Sequence, residues 1–273
     1  MSREPTEARL AATLMLGRDG PEGIEVFMVV RHHRIDFATG ALVFPGGKVE
    51  DADRDPRLRS RCRGAEALSD AALAIRTACV REAFEEAGVL LARERGSEAF
   101  VGPDRLAALR DRWRLALEQD RAAMAEMAEA EDLEFATDAL TRFAHWVTPE
   151  HMPKRFDTHF YLAEAPAAQM RAAAHDGRES VDSVWISWEA LRQGQADGRY
   201  TVLFPTRLNM EKLARSRTVA EARGAAAAAA VVPVLPEVEF VEGGRIMRIP
   251  AEAGYGRAEF RIVGDPGGDA RPA

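Results

Sequence analysis

The run Arg81-Glu82-Ala83-Phe84-Glu85-Glu86-Ala87-Gly88-Val89 places three carboxylates within five positions, opened by an arginine and closed by a glycine. Residues three and four apart share a helix face, so Arg81 lies beside Glu85, and Glu82 lies beside both Glu85 and Glu86. Three negative charges on one strip repel each other unless a cation answers them. Oxygen ligands on a rigid helix suit a hard divalent ion, Mg²⁺ or Mn²⁺, which keeps some waters and meets substrate phosphates. The competing reading is a solvated charged face that ends at a glycine C-cap. The rest of the chain has to decide between them.

A helix must carry that strip. Ser69 reads as its N-cap, and Leu73, Ile75, Thr77, Ala78, Val80 and Phe84 supply an apolar side up to Gly88. Ahead of it, residues 8–16 and 24–31 read as two strands of a hairpin, with residues 17–23 as turn chemistry between them. A short apolar strand, residues 41–44, runs into Pro45-Gly46-Gly47, where two glycines free the backbone to turn sharply and bring a carbonyl close to a ligand. Residues 51–68 are polar, arginine-rich and without clear period, which reads as a surface insertion. After the helix, residues 89–92 read as a strand and residues 104–130 as helix, its Trp113, Met124 and Met127 being packing residues. Residues 143–147, 158–163 and 183–187 read as strands, residues 188–193 and 204–214 as helices, and residues 218–230 as a further helix broken at Gly224. Residues 237–263 read as a hairpin about Gly243-Gly244. Strands alternating with helices imply a mixed sheet between helical layers, an α/β (α+β) sandwich.

At 273 residues the chain has room for one good core. Hydrophobic residues make up 47% and charged residues 30%, as in ordinary globular proteins. The net charge of −7 argues against broad binding to nucleic acid or to membrane surfaces. A polyanionic substrate then needs local arginines and a bound metal. The two cysteines, Cys62 and Cys79, form no disulfide framework and no metal-ligand spacing. Residues 1–5 carry no apolar leader core and no apolar run approaches a membrane span, so the expected location is cytoplasmic.

Gly46-Gly47 and residues 81–89 together resemble the Nudix hydrolase pattern G-x5-E-x7-R-E-U-x-E-E-x-G-U, where U is aliphatic. Ala83 and Val89 occupy the two U positions. Counted from Gly47, the first glutamate position falls on Asp53, and the 27 residues 54–80 separate it from Arg81 where the pattern has seven. The excess is the arginine-rich stretch, so Asp53, Glu50 and Asp51 all compete to pair with Arg81. The long insertion, residues 40–47, His145-Trp146-Val147-Thr148-Pro149 and Arg155-Phe156-Asp157-Thr158 look most like the peroxisomal coenzyme A diphosphatase branch and its bacterial relatives. The resemblance spans about residues 8–215.

It implies a single Nudix-type α/β/α domain over residues 1–273, with a polar insertion at about 51–68, a helical insertion at about 103–132 and a C-terminal extension at about 216–273. It further implies metal-dependent hydrolysis of a diphosphate linkage in a nucleotide-like small molecule, coenzyme A or acyl-coenzyme A being favoured. ADP-ribose, a nucleotide sugar or a dinucleoside polyphosphate is the alternative, and a non-catalytic nucleotide sensor the second class. Glu82, Glu85 and Glu86 would hold the Mg²⁺ or Mn²⁺, with the Gly47 carbonyl a further ligand. Arg81 would fix a carboxylate in place, with Asp53 and Glu50 behind the ligands. Glu179, which precedes Trp185, or one of the helix glutamates would be the general base. Arg31, Arg34 and Arg155, with His32, His33 and Lys154 near them, are candidates for substrate phosphates. A homodimer is compatible with this reading.

Overall fold

The computed structural model describes residues 6–31, 40–171, 173 and 180–263. The chain opens on an antiparallel pair, β1 (Arg9–Gly20) and β2 (Gly23–Arg31), joined by only Pro21 and Glu22. Residues 17–20, expected as turn, continue the strand because each pairs with β2. Ladder pairing outweighs local turn propensity here. Two short strands follow, β3 (Leu42–Val43) and β4 (Gly46–Lys48), then 3-10 turns at Asp51–Arg54 and Pro56–Arg61, then the long helix α1 (Asp70–Ala87).

Residues 89–91 are buried, yet they form no strand. The fully buried Gln169 replaces a neighbouring strand there, its Oε1 accepting from Leu90 N at 3.0 Å and its Nε2 donating to Leu90 O at 3.1 Å. The strand β5 (Ala92–Glu94) starts one residue later. The expected long helix is broken. α2 (Pro103–Leu109) passes through a π-helical turn, Arg110–Arg114, into α3 (Leu115–Glu118), and α4 (Met124–Ala130) follows a gap in which Asp120 takes a left-handed φ of 53°. The short strand β6 (Leu133–Phe135) then pairs with β5.

The second half runs β7 (Thr141–Val147), β8 (Phe156–Glu164), β9 (Ser180–Ser187), α5 (Trp188–Ala196), α6 (Phe204–Leu213) and α7 (Val219–Ala228). α7 continues through Gly224, since alanines after it sustain the helix. The chain ends in β10 (Pro233–Val234) and a three-stranded meander of β11 (Glu237–Val241), β12 (Gly244–Arg248) and β13 (Glu259–Val263), one strand more than a hairpin.

β1 organises the eight-stranded mixed sheet. One side lies parallel to β8 from Arg9 to Gly17, while the other pairs with β4 near its start and with β2 near its end. Side chains alternate across it, so Ala12, Leu14 and Leu16 join the core beneath α1, and Met15 joins the opposite core with α6, α7 and the meander. The sheet is thus sandwiched between helical layers, as expected.

The segment expected as a polar surface insertion is built into that core. Leu58, Cys62 and Ala65 are buried with α1 and α4 residues, while Arg59, Arg61 and Arg63 pair outward with Asp70, Asp132 and Glu134. Its arginines hid three apolar anchors. Among the described residues no helix is long and apolar enough to cross a membrane.

Candidate active site

α1 is set at both ends. Ser69 Oγ accepts from Ala72 N at 3.2 Å, and Gly88 closes the helix at φ 64°. The π-turn then packs onto that end. Arg114 Nε donates to Glu85 O at 2.8 Å and its Nη2 to Glu86 O at 3.2 Å, a cation on the terminal carbonyls. The helix is buried nearly all round. Arg81, Glu82 and Glu86 are only 6%, 8% and 8% exposed, which rules out the solvated-face reading.

Arg81 uses all five of its N–H donors. Nε and Nη2 hold Asp53 in a fork at 3.0 Å each, Nη1 reaches Glu82 at 2.9 Å and Glu85 at 3.0 Å, and Nη2 also reaches Lys48 O at 2.9 Å. Of the three competing carboxylates, Asp53 is the partner. It sits on the first 3-10 turn and also accepts from Glu50 N at 2.9 Å. Glu50 lines the cleft, and Asp51 is exposed.

The expected bend falls at Pro45, and the two glycines follow it. Neither has a positive φ, and both lie in β4. A Cβ on Gly47 would stand 2.3 Å from Glu82 Oε1, and one on Gly46 would stand 2.5 Å from Ala12 O. Gly46 N donates to Glu86 Oε2 at 2.9 Å. The glycines therefore let α1's carboxylates press against the strand. Burial, with the charges of Glu82 and Glu50, pushes the Glu85 carboxyl up to about 8, against the pull of Arg81. A group so placed gains from a nearby cation.

These residues form one end of a cleft of about 880 Å³. The rest of its lining mixes apolar side chains, Trp146, Met152, Phe156 and Phe204 among them, with polar ones such as Thr148, His151 and Glu118, and Lys48 and Arg245 add cations. Trp146 is held from behind, its Nε1 donating to Tyr255 Oη at 2.8 Å, which donates to Asn209 Oδ1 at 2.7 Å. The meander closes the far side through Val238, Arg245 and Met247. The sequence marked Trp146 and Phe156 only through the family resemblance of their stretches; Met152, Phe204 and Arg245 went unmarked, because apolar lining reads as core and Arg245 is one arginine among many.

The expected phosphate cations fare differently. Arg155 lies outside the cleft lining, with its Nε on Thr148 O at 3.0 Å and its Nη1 on Thr6 O at 2.7 Å, so it ties down the turn before β8 and the chain start. Arg34, His32, His33 and Glu179 lie outside the described residues, as does the side chain of Arg31.

Buried oxygen donors opening on a large cleft are the chemistry that suits a hard cation and a sizeable ligand. The family model described as the NUDT19 Nudix domain matches residues 56–197. The crystal structure of a NUDIX hydrolase from Alicyclobacillus acidocaldarius superposes with a TM-score of 0.64 at 26% identity, covering 80% of this chain and 96% of that one. A NUDIX-family hydrolase from Clostridium perfringens aligns with a TM-score of 0.36 at 13% identity, over 81% of this chain and 99% of that one. The chain belongs to the Nudix hydrolase family, enzymes that split nucleoside diphosphate derivatives.

Proposed function

We propose that this chain is a divalent-metal-dependent diphosphatase whose substrate is coenzyme A or acyl-coenzyme A. The observation that carries the reading is the two-ended cleft. One end offers buried carboxylates for the cations that accompany a diphosphate. The other offers Trp146, Met152, Phe156 and Phe204 to the less polar arm of the substrate, with Arg245 among them as a cation. At about 880 Å³ the space is large even for a drug-sized ligand. The match to the NUDT19 Nudix domain and the branch resemblance support the same substrate class.

Glu82, Glu85 and Glu86 fit a hard cation as all-oxygen donors, and the ionised form of Glu85 is disfavoured by burial and by Glu82 despite its bond to Arg81. When bound, Mg²⁺ or Mn²⁺ supplies charge neutralisation at the phosphate oxygens and acidifies the water it contacts. Arg81 locks Glu82 and Glu85 in the orientation that faces the cleft, and Asp53 locks Arg81. Glu179 or one of the helix glutamates takes the proton of the attacking water. The water oxygen bonds to phosphorus, the bridging P–O bond breaks, and adenosine 3′,5′-bisphosphate and phosphopantetheine leave.

The test is a substrate panel with Mg²⁺, comprising coenzyme A, dephospho-coenzyme A, ADP-ribose, NADH and a dinucleoside polyphosphate, with products identified by mass. Coenzyme A should be cleaved with the highest kcat/KM. Faster cleavage of ADP-ribose or a dinucleoside polyphosphate would reject the substrate while leaving the family intact.

A further inference from the structure

On the face of the sheet turned away from the cleft, β7 and β8 bring together His145, Asp157 and His159. His145 and His159 are register partners across the antiparallel pair, with rings stacked at 4.0 Å and 20°. Asp157 lies two residues before His159, on the same face. Its Oδ1 contacts His145 Nε2 directly and stands 3.7 Å from His159 Nε2. One donor atom from each residue falls within 4.8 Å of the others.

We propose that these three side chains form a second metal site that takes a borderline transition ion such as Zn²⁺, separate from the carboxylate cluster of α1. Two imidazoles and one carboxylate are the donor set such an ion prefers over Mg²⁺. Donors around a tetrahedral zinc lie about 3.4 Å apart, close to the separation of His159 and Asp157. The His145–Asp157 contact must open slightly to admit the ion. Asp157, with 35% of its side chain exposed, has room to do so and leaves a solvent position for a fourth ligand.

His145 turns its Nε2 to Asp157, while its Nδ1, on the other side of the ring, is buried without a hydrogen-bond partner. Burial and the neighbouring His145 both disfavour a positive charge on the His159 ring. The charge of Arg142 acts on the same group and opposes an incoming cation, while Asp157 favours one. The site would matter to the cleft because the intervening residues, Trp146, Thr158 and Phe160, line it from the other face of the same two strands. An ion here clamps β7 to β8 beneath the substrate.

Zinc binding to the full chain, measured by calorimetry in excess Mg²⁺, tests this. One Zn²⁺ should bind and raise Tm. His145→Asn and His159→Asn should each weaken it roughly ten- to a hundredfold, and Glu85→Gln should leave it within about twofold. Imidazole NMR of the unaltered chain guards against variants that fold poorly, since Zn²⁺ should shift the resonances of two histidines. The proposal is overturned if zinc affinity falls in Glu85→Gln and holds in both histidine variants, if no imidazole resonance moves, or if no zinc equivalent binds.

Discussion

Arg81 has no donor left for a substrate, so its part is to position Glu82 and Glu85. Lysine in its place keeps the charge and loses the planar fork. Arg81→Lys should lower kcat by roughly ten- to a hundredfold with KM little changed. It should also lower stability by about 1–3 kcal/mol, because the buried Asp53 loses hydrogen bonds that lysine cannot replace. Chemical denaturation alongside kinetics reads both, and a KM effect alone would contradict the positioning role. Gly47→Ala probes the same geometry from the strand. Its Cβ meets the end of the Glu82 side chain, so the carboxylate moves and activity drops while the fold persists. Gly46→Ala meets the β1 backbone instead, and there the Tm should fall first. The metal-free chain should show a pH signature. Glu85 rises from 4.5 to about 8 on folding, so the group costs nothing below 4.5 and destabilises the fold progressively as pH climbs through 8. At about 1.36 kcal/mol per pH unit between those values, the bound is about 5 kcal/mol. Glu85→Gln should flatten this loss, and urea midpoints at pH 5 and pH 8.5 measure it; a parent as stable at pH 8.5 as the variant contradicts it.

At the scale of elements, α1 was legible because cap, apolar spacing and glycine stop agree over one continuous stretch. Asp53 was not, since the long intervening segment left three carboxylates equally placed and only the fold selects among them. The same segment misled on its role. Its arginines dominate the composition, yet Leu58 is fully buried and packs with α1 and α4. Replacing residues 57–66 by a Gly/Ser linker, harmless for a surface insertion, should therefore unfold or strongly destabilise the chain. Leu58→Ala isolates the effect and should cost about 2–5 kcal/mol, measured by denaturant titration. A cost under about 0.5 kcal/mol, typical of a surface change, would restore the surface reading. The π-turn is a second element that periodicity could not reveal, because helix and π-turn share apolar residues; its Arg114 acts on α1's last carbonyls.

At the scale of the molecule, the cleft joins parts far apart in the chain. α1 and β4 form one end, and β12, near the other end of the sequence, contributes Arg245 and Met247. The C-terminal segment thus gains a role that its sequence did not disclose. If coenzyme A is the substrate, its 3′-phosphate needs a cation that ADP-ribose and NADH do not. Arg155 is committed to backbone carbonyls, whereas Arg245 lines the cleft. A charge-assisted contact is worth about 1.5–3 kcal/mol, or roughly ten- to a hundredfold in kcat/KM. The unaltered enzyme should therefore favour coenzyme A over its dephospho form by that factor. Arg245→Ala should bring the ratio toward one through KM while leaving kcat nearly intact, since the residue stands outside the carboxylate cluster. Equal kcat/KM for the two substrates in the unaltered enzyme removes the 3′-phosphate argument. A ratio that survives Arg245→Ala unchanged assigns the contact to another cation and leaves Arg245 as part of the wall.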